Sequence, residues 1–152
     1  MAAIKVGPWG NNIDNQFRFP WDMGVVDHIS NIKFYYGLAL TGLEITYTID
    51  NKESTFQIGE TTDTPSAELK LEEGEYFIGI SGSYGTVLRT SLLTQLALET
   101  NKGKCVSVGE IRGNRFSFNV EEGAKMVGFF GGVDRPGPPR GISAIGFYMI
   151  NN

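Results

Sequence analysis

The sequence predicts an all-β chain built from three related sheets, and three observations carry that expectation. Glycine supplies 20 of the 152 residues and aromatics 12%, a composition that favours short strands joined by many turns over helices. Apolar residues recur at every second position in short runs, as a strand with one buried face requires. A pattern of paired strands returns three times at intervals of about fifty residues. At this length the chain is expected to form a single domain over residues 1–152, with room for a substantial core.

The first clear strand is Ile32-Lys33-Phe34, which runs into Tyr35-Tyr36-Gly37. Leu43-Glu44-Ile45-Thr46-Tyr47-Thr48-Ile49 alternates without a break and ends in the turn cluster Asp50-Asn51-Lys52. Ala67 to Leu71 and Tyr76 to Ile80 are strands divided by the turn Glu72-Glu73-Gly74. Cys105 to Val108 and Arg115 to Val120 follow, with turns at Asn101-Lys102-Gly103 and Glu121-Glu122-Gly123. Residues 91–100, SLLTQLALET, point the other way: Leu92, Leu93, Leu96 and Ala97 stand at helical spacing.

Repetition decides that case. The first strand of each copy reads Ile32-Lys33-Phe34, Ile78-Gly79-Ile80 and Val127-Gly128-Phe129, and each runs on into glycine. The second strand begins Leu40-Thr41-Gly42-Leu43, Leu93-Thr94-Gln95-Leu96 and Ile142-Ser143-Ala144-Ile145, in each copy aliphatic, small hydroxyl, variable, aliphatic. Leu92 to Leu98 is therefore predicted to be a strand like its sister copies. A unit of about fifty residues cannot bury both faces of its strands alone, so the three copies are expected to share one apolar core about a pseudo-threefold axis.

The formal net charge is −4 and the pI near 5.0, with no block of Lys or Arg, which argues against nucleic acid and anionic membrane as partners. No apolar stretch approaches the ~18 residues a membrane helix needs. The opening MAAIKVGPWGN lacks the apolar core of a signal peptide, and one cysteine, Cys105, allows no internal disulfide. Together these set the expectation of a cytoplasmic protein with no membrane insertion.

Catalytic chemistry finds little support. The only histidine, His28, sits beside Asp27 in GVVDHISNI with no nucleophile-elbow pattern, and reads as structural. One His and one Cys cannot supply a zinc set, no calcium-loop spacing of acids occurs, and Gly131-Gly132 has no phosphate-binding fingerprint around it. Neither metal nor cofactor is expected. Glu72, Glu73, Glu121 and Glu122 lie in turns, where solvation accounts for them, and sequence alone does not place a carboxylate pair across a glycosidic bond. The chain is expected not to be an enzyme.

The loops carry more. FFGGVDRPGPPRGISAIGFYM, residues 129–149, holds two strand-like runs around a connection longer and stiffer than a hairpin requires. Tyr35-Tyr36-Gly37, Ser83-Tyr84-Gly85 and Phe130-Gly131-Gly132 pair aromatic faces with glycines at the ends of the repeats. Such loops either simply turn the chain and cap the core, or let a ligand approach the backbone. Sugars suit the second use: their hydroxyls pair with main-chain groups and their C–H faces with aromatic rings.

At these residues the chain resembles the jacalin-related lectins. IKVGPWGN at 4–11 is similar to the family's Gly-Pro-Trp-Gly-Gly opening, FPWDMGVVDHISNIKF to its Trp-Asp-x-Gly segment and first strands, and GEYFIGISGSYG at 74–85 to its Glu-Tyr-Ile-x-x-Ile-Ser-Gly block. LALETN, MVGFFGG and ISAIGFY complete the register over nearly the whole chain. The resemblance implies a β-prism I, three four-stranded Greek-key sheets with pseudo-threefold symmetry, that binds carbohydrate without catalysis or metal. It places the pocket at Gly10 and Asn11, at Ser83, Tyr84, Gly85 and Thr86, and at the loop from Pro139 through Arg140, Gly141 and Ile142 to Ser143.

The match breaks at three pocket positions. The family's Asp before Ala-Ile-Gly is Ser143, the glycine of its Gly-x-x-x-Asp motif is Pro139, and the second glycine of Gly-Gly is Asn11. The slots matching Ser143 in the other copies hold Thr41 and Thr94, so no Asp has moved to a sister site. Asp134 is a candidate for the missing carboxylate, and Arg135 or Arg140 for additional donors. The expected ligands are mannose- or glucose-type glycans or glycoproteins, bound by a homodimer or higher homo-oligomer as the resemblance implies. The alternative is a prism whose altered pocket takes a galactose-type or acidic glycan, or serves as a protein-interaction module.

Overall fold

The computed structural model describes residues 2–10, 19–135 and 141–151. Its elements in chain order, all strands, are β1 (Ile4–Gly10), β2 (Pro20–Asp22), β3 (His28–Tyr36), β4 (Leu40–Ile49), β5 (Lys52–Gly59), β6 (Ala67–Lys70), β7 (Phe77–Val87), β8 (Thr90–Thr100), β9 (Cys105–Gly109), β10 (Asn114–Asn119), β11 (Ala124–Val133) and β12 (Ile142–Asn151).

They form three antiparallel sheets in the orders β5-β4-β3-β6, β10-β7-β8-β9 and β1-β12-β11-β2. In the first two, the two long central strands are flanked by the strand that follows them and by a fourth that returns beside the first, the Greek-key order, and the third has the same spatial arrangement. The predicted all-β, three-sheet architecture is what the chain adopts. The third sheet takes its outer strands from the start of the sequence and its central pair from the end. Gly10 thereby lies opposite Ala144.

The repeats coincide in register as well as in sequence. One residue of the second central strand stands unpaired, as a β-bulge, at Thr41, Thr94 and Ser143. A second bulge falls in the first central strand at Ser30, Ile78 and Val127. Bulges bend and twist the strand that carries them. Six at matched positions let each flat hairpin wrap its share of a common core.

The bulge at Thr94 also explains the helix-like spacing of residues 91–100. Leu93, Leu96 and Leu98 all face the core, but the extra residue shifts the alternation by one between the first two. A three-residue step then mimics a helix, although β8 pairs with β7 on one side and β9 on the other. The predicted turns at 50–52, 72–74, 101–103 and 121–123 all connect strands.

Phe34, Phe77, Phe129 and Phe147 are fully buried at the centre, with Leu40, Leu43, Ile45, Leu93, Leu96 and Ile142 around them. Aromatic contacts join each pair of sheets. Trp9 of β1 stacks nearly parallel on Phe116 of β10 with ring centres 5.3 Å apart, and Trp21 of β2 tilts against Phe56 of β5 at 6.3 Å. Tyr36 of β3 donates its hydroxyl to the Thr94 carbonyl at 2.7 Å. Since β2 has only three residues, its hold on the sheet is reinforced by Asp22, which accepts from the Tyr148 hydroxyl at 2.6 Å and pairs with Lys5 at 3.7 Å.

Opposite the loops, Glu75 is a buried carboxylate, 1% exposed. It accepts from the Thr100 hydroxyl at 2.6 Å and the Glu72 amide at 2.9 Å, with Lys104 Nζ at 3.5 Å. The Thr100 hydrogen bond, helped by the Glu72 amide and Lys104 and opposed by burial, holds its carboxyl below the ordinary value of 4.5.

Two outcomes follow for stability. Phe129→Ala is expected to cost about 3–5 kcal/mol by urea denaturation, because a fully buried ring leaves a cavity among packed neighbours. Because folding depresses the Glu75 pKa, the wild type should gain over Glu75→Gln above pH 4.5 and lose that margin as pH falls through the lowered value. Urea midpoints of both proteins from neutral to about pH 3 check the sign.

Candidate functional site

At the end of the prism that carries Thr41, Thr94 and Ser143, each bulged residue faces a glycine on the neighbouring outer strand. Gly59, Gly109 and Gly10 have φ of +74°, +86° and +125°, a region that disfavours side chains. A Cβ on any of them would collide with the carbonyl oxygen of Thr41, Thr94 or Ser143 respectively. The residue after the glycine donates back to that carbonyl: Glu60 N to Thr41 O at 2.8 Å and Glu110 N to Thr94 O at 3.2 Å. The result is three related backbone cradles.

Sequence reading found the cradle glycine only at Gly10. Its sisters were legible in the triplets Trp9-Gly10-Asn11, Ile58-Gly59-Glu60 and Val108-Gly109-Glu110, an aliphatic or aromatic residue, glycine and a polar residue. Asn11 itself lies outside the described residues, as do Pro139 and Arg140.

The cradles differ in how far the protein satisfies itself. In the first, the Thr41 hydroxyl donates to the Tyr35 carbonyl at 2.9 Å. In the second, Thr94 Oγ1 donates to the Arg112 carbonyl at 2.7 Å and lies 2.6 Å from Ser83 Oγ, which accepts from Arg112 N at 3.1 Å. The Tyr36 ring covers that cradle, packed on Gly109 with its hydroxyl on the Thr94 carbonyl, and the Arg112 guanidinium braces it by donating to Tyr36 Oη at 3.2 Å and to the Leu38 carbonyl at 2.6 Å. In the third, the Ser143 hydroxyl has no hydrogen-bond partner among the described residues.

The structure brings Gly10, Gly141, Ile142 and Ser143 together at this third cradle, where Gly10 is partly exposed and Gly141, Ile142 and Ser143 are buried. Asp134 closes the base of the loop. Its amide donates to the Gly141 carbonyl at 3.1 Å, its Oδ1 accepts from the Gly141 amide at 2.7 Å, and its Oδ2 pairs with Arg135 Nε at 3.3 Å. Both carboxylate oxygens are thus engaged within their own loop, and the side chain is 6% exposed.

Ser83 departs from the picture drawn from sequence: it is fully buried, and its hydroxyl serves the Thr94–Arg112 network instead of the surface. Tyr84 is half-buried against Phe116 with ring centres 6.5 Å apart. Gly85 and Thr86 continue β7 to its turn, with Thr86 exposed. Gly141 rests on Leu92 of β8, so closely that a Cβ there would lie 2.8 Å from a leucine methyl. That contact seats the start of β12 beside the β7–β8 hairpin.

Chemically the third cradle offers main-chain donors and acceptors, one hydroxyl and carboxylate oxygens already paired. Such a set recognises hydroxyls by hydrogen bonding. Among the described residues no group of three His, Cys, Asp or Glu side chains is placed to hold a metal ion.

Comparison with known proteins agrees with this geometry. A family profile described as "Jacalin-like lectin domain" matches residues 6–148. Horcolin of Hordeum vulgare is 30% identical over 153 residues, covering 96% of each chain. The solved structure of wild-type Malaysian banana lectin superposes with a TM-score of 0.83 at 34% identity, over 99% of this chain and 100% of that one. AcmJRL, described as a mannose-binding jacalin-related lectin from Ananas comosus, superposes with a TM-score of 0.78 at 25% identity over 99% of each chain.

Alanine at the cradle glycines should separate collision from backbone strain. Gly59→Ala and Gly10→Ala add a clash with a carbonyl oxygen, whereas Gly74→Ala, also at positive φ, meets open space. Urea denaturation is expected to show about 1–2 kcal/mol lost at Gly74 and a clearly larger loss at Gly59 and Gly10.

Proposed function

Because the chain belongs to the jacalin-like lectin family, we propose that it recognises mannose- or glucose-type glycans, free or on glycoproteins, at the third cradle, without catalysis or cofactor. The observation that carries this reading is the contrast among three equivalent cradles. Two have their bulge hydroxyls bonded internally, and in the third the Ser143 hydroxyl, on a residue 4% exposed, lies beside Gly10 and Gly141 unengaged by described residues. The mannose class is supported by the description of the Ananas comosus lectin as mannose binding.

Ser143 sets the strength. A hydrogen bond to a charged acceptor is worth roughly 1.5–3 kcal/mol against about 1 for a neutral one, and one hydroxyl cannot take a bidentate role. Each site is therefore weak, in the millimolar range where single sugars are held by a few neutral bonds. Self-association into a dimer or larger assembly in the cytoplasm would restore avidity by about 10² or more. The substitution at Ser143 also favours one competing reading, a prism that has given up sugars for a protein partner.

Amide NMR titration with methyl mannoside, glucoside, galactoside and N-acetylgalactosamine separates the two. Saturable shifts at Gly10, Tyr84 and Gly141 to Ser143 with the mannoside or glucoside are expected; silence at those amides with all four sugars would favour the protein-interaction reading. Ser143→Asp is expected to strengthen mannoside binding about tenfold, the ratio implied by replacing a neutral with a charged acceptor.

A further inference from the structure

Between the three central hairpins, at the same end of the prism, opens an apolar cavity of about 220 Å³. Leu38 and Ala39 from the β3–β4 turn, Val87, Leu88 and Leu92 from the β7–β8 hairpin, and Gly141 from the base of the β11–β12 loop line it. Leu38 is 62% exposed and Leu88 80%.

Leu88 and Arg89 form a two-residue turn in which both have positive φ, +49° and +70°. Asn-Gly is the favoured pair in such a turn, since a leucine there is strained. The chain thus tolerates an unfavourable backbone and a solvated apolar side chain at one point. Strain and exposed apolar surface that coincide beside a cavity are the marks of a binding surface.

We propose that this cavity receives the aliphatic aglycone of a glycoside whose sugar occupies the third cradle, so that the protein prefers alkyl glycosides, glycolipids among them, to the free sugar. The inference rests on the sugar-binding reading. Size supports an appendage: about 220 Å³ falls below the roughly 300–1,000 Å³ of a self-sufficient small-molecule site. Continuity supports attachment, since Gly141 belongs to the cradle and rests directly on Leu92 of the cavity. The lining supports an alkyl chain, being mainly leucine, alanine and valine beside Thr41 and Thr90, with no aromatic face among the described residues. Its charged members, Asp134 and Arg135, already neutralise each other at 3.3 Å.

Isothermal titration of the full chain with methyl, butyl and hexyl α-mannoside, each below its micelle concentration, tests this. Each buried methylene should tighten binding about two- to fourfold until the cavity fills, giving at least tenfold from methyl to hexyl. The double variant Leu38→Asn, Leu88→Asn changes only exposed turn residues, and asparagine suits the Leu88 backbone. It should keep the methyl mannoside affinity and lose the gain. Equal affinity for methyl and hexyl mannoside would overturn the inference and leave the lectin reading standing, as would a gain that survives in the double variant. Absence of saturable binding by all three would overturn both.

Discussion

The contact on which the rest of the molecule depends is the close approach of a glycine to the carbonyl of a bulged residue, repeated three times. A hairpin of two regular strands has no reason to bend sharply at its end. The unpaired Thr41, Thr94 or Ser143 bends it, and the neighbouring outer strand follows only where a missing Cβ lets the backbones meet. Wrapping of each sheet around the buried phenylalanines and the shape of the loop end are therefore set together. The device that closes the core also builds the cradle.

Identical backbone geometry with different side chains then divides labour among the copies. Tyr36 covers the second cradle and Arg112 ties the Tyr36 and Leu38 region of the first sheet to the second, which makes that copy a structural joint. Thr41 bonds within its own hairpin. Only the copy assembled from both ends of the chain has its bulge hydroxyl without a partner among the described residues. On the sugar-binding proposal the site lies where N- and C-terminal segments meet, and its assembly requires pairing of the most distant parts of the sequence, β1 with β12.

Much of this was legible in the residues. Alternation gave Leu43–Ile49, turn chemistry gave 50–52 and 72–74, and the threefold repeat placed a strand at 92–98 against its local helical spacing. That repeat succeeded because the same bulge that disrupts the alternation recurs at the same place in each copy. The fate of side chains was less accessible. Ser83 and Thr86 are both small hydroxyls near a glycine, yet one is fully buried in a hydrogen-bond network and the other exposed, a difference decided by the pleat and by Arg112 from a distant segment. Likewise nothing local to Asp134 shows that its carboxylate is occupied in closing its own loop.

On this proposal sugar recognition resides in one of three equivalent cradles, chosen by its unengaged hydroxyl. A crystal structure of the protein soaked with methyl α-mannoside addresses it most directly. Sugar density against the Gly10 and Gly141–Ser143 backbone, with the Thr94 cradle still covered by Tyr36, is the expected result. Density confined to the Thr41 or Thr94 cradles, or to a sheet face away from the loops, would contradict it.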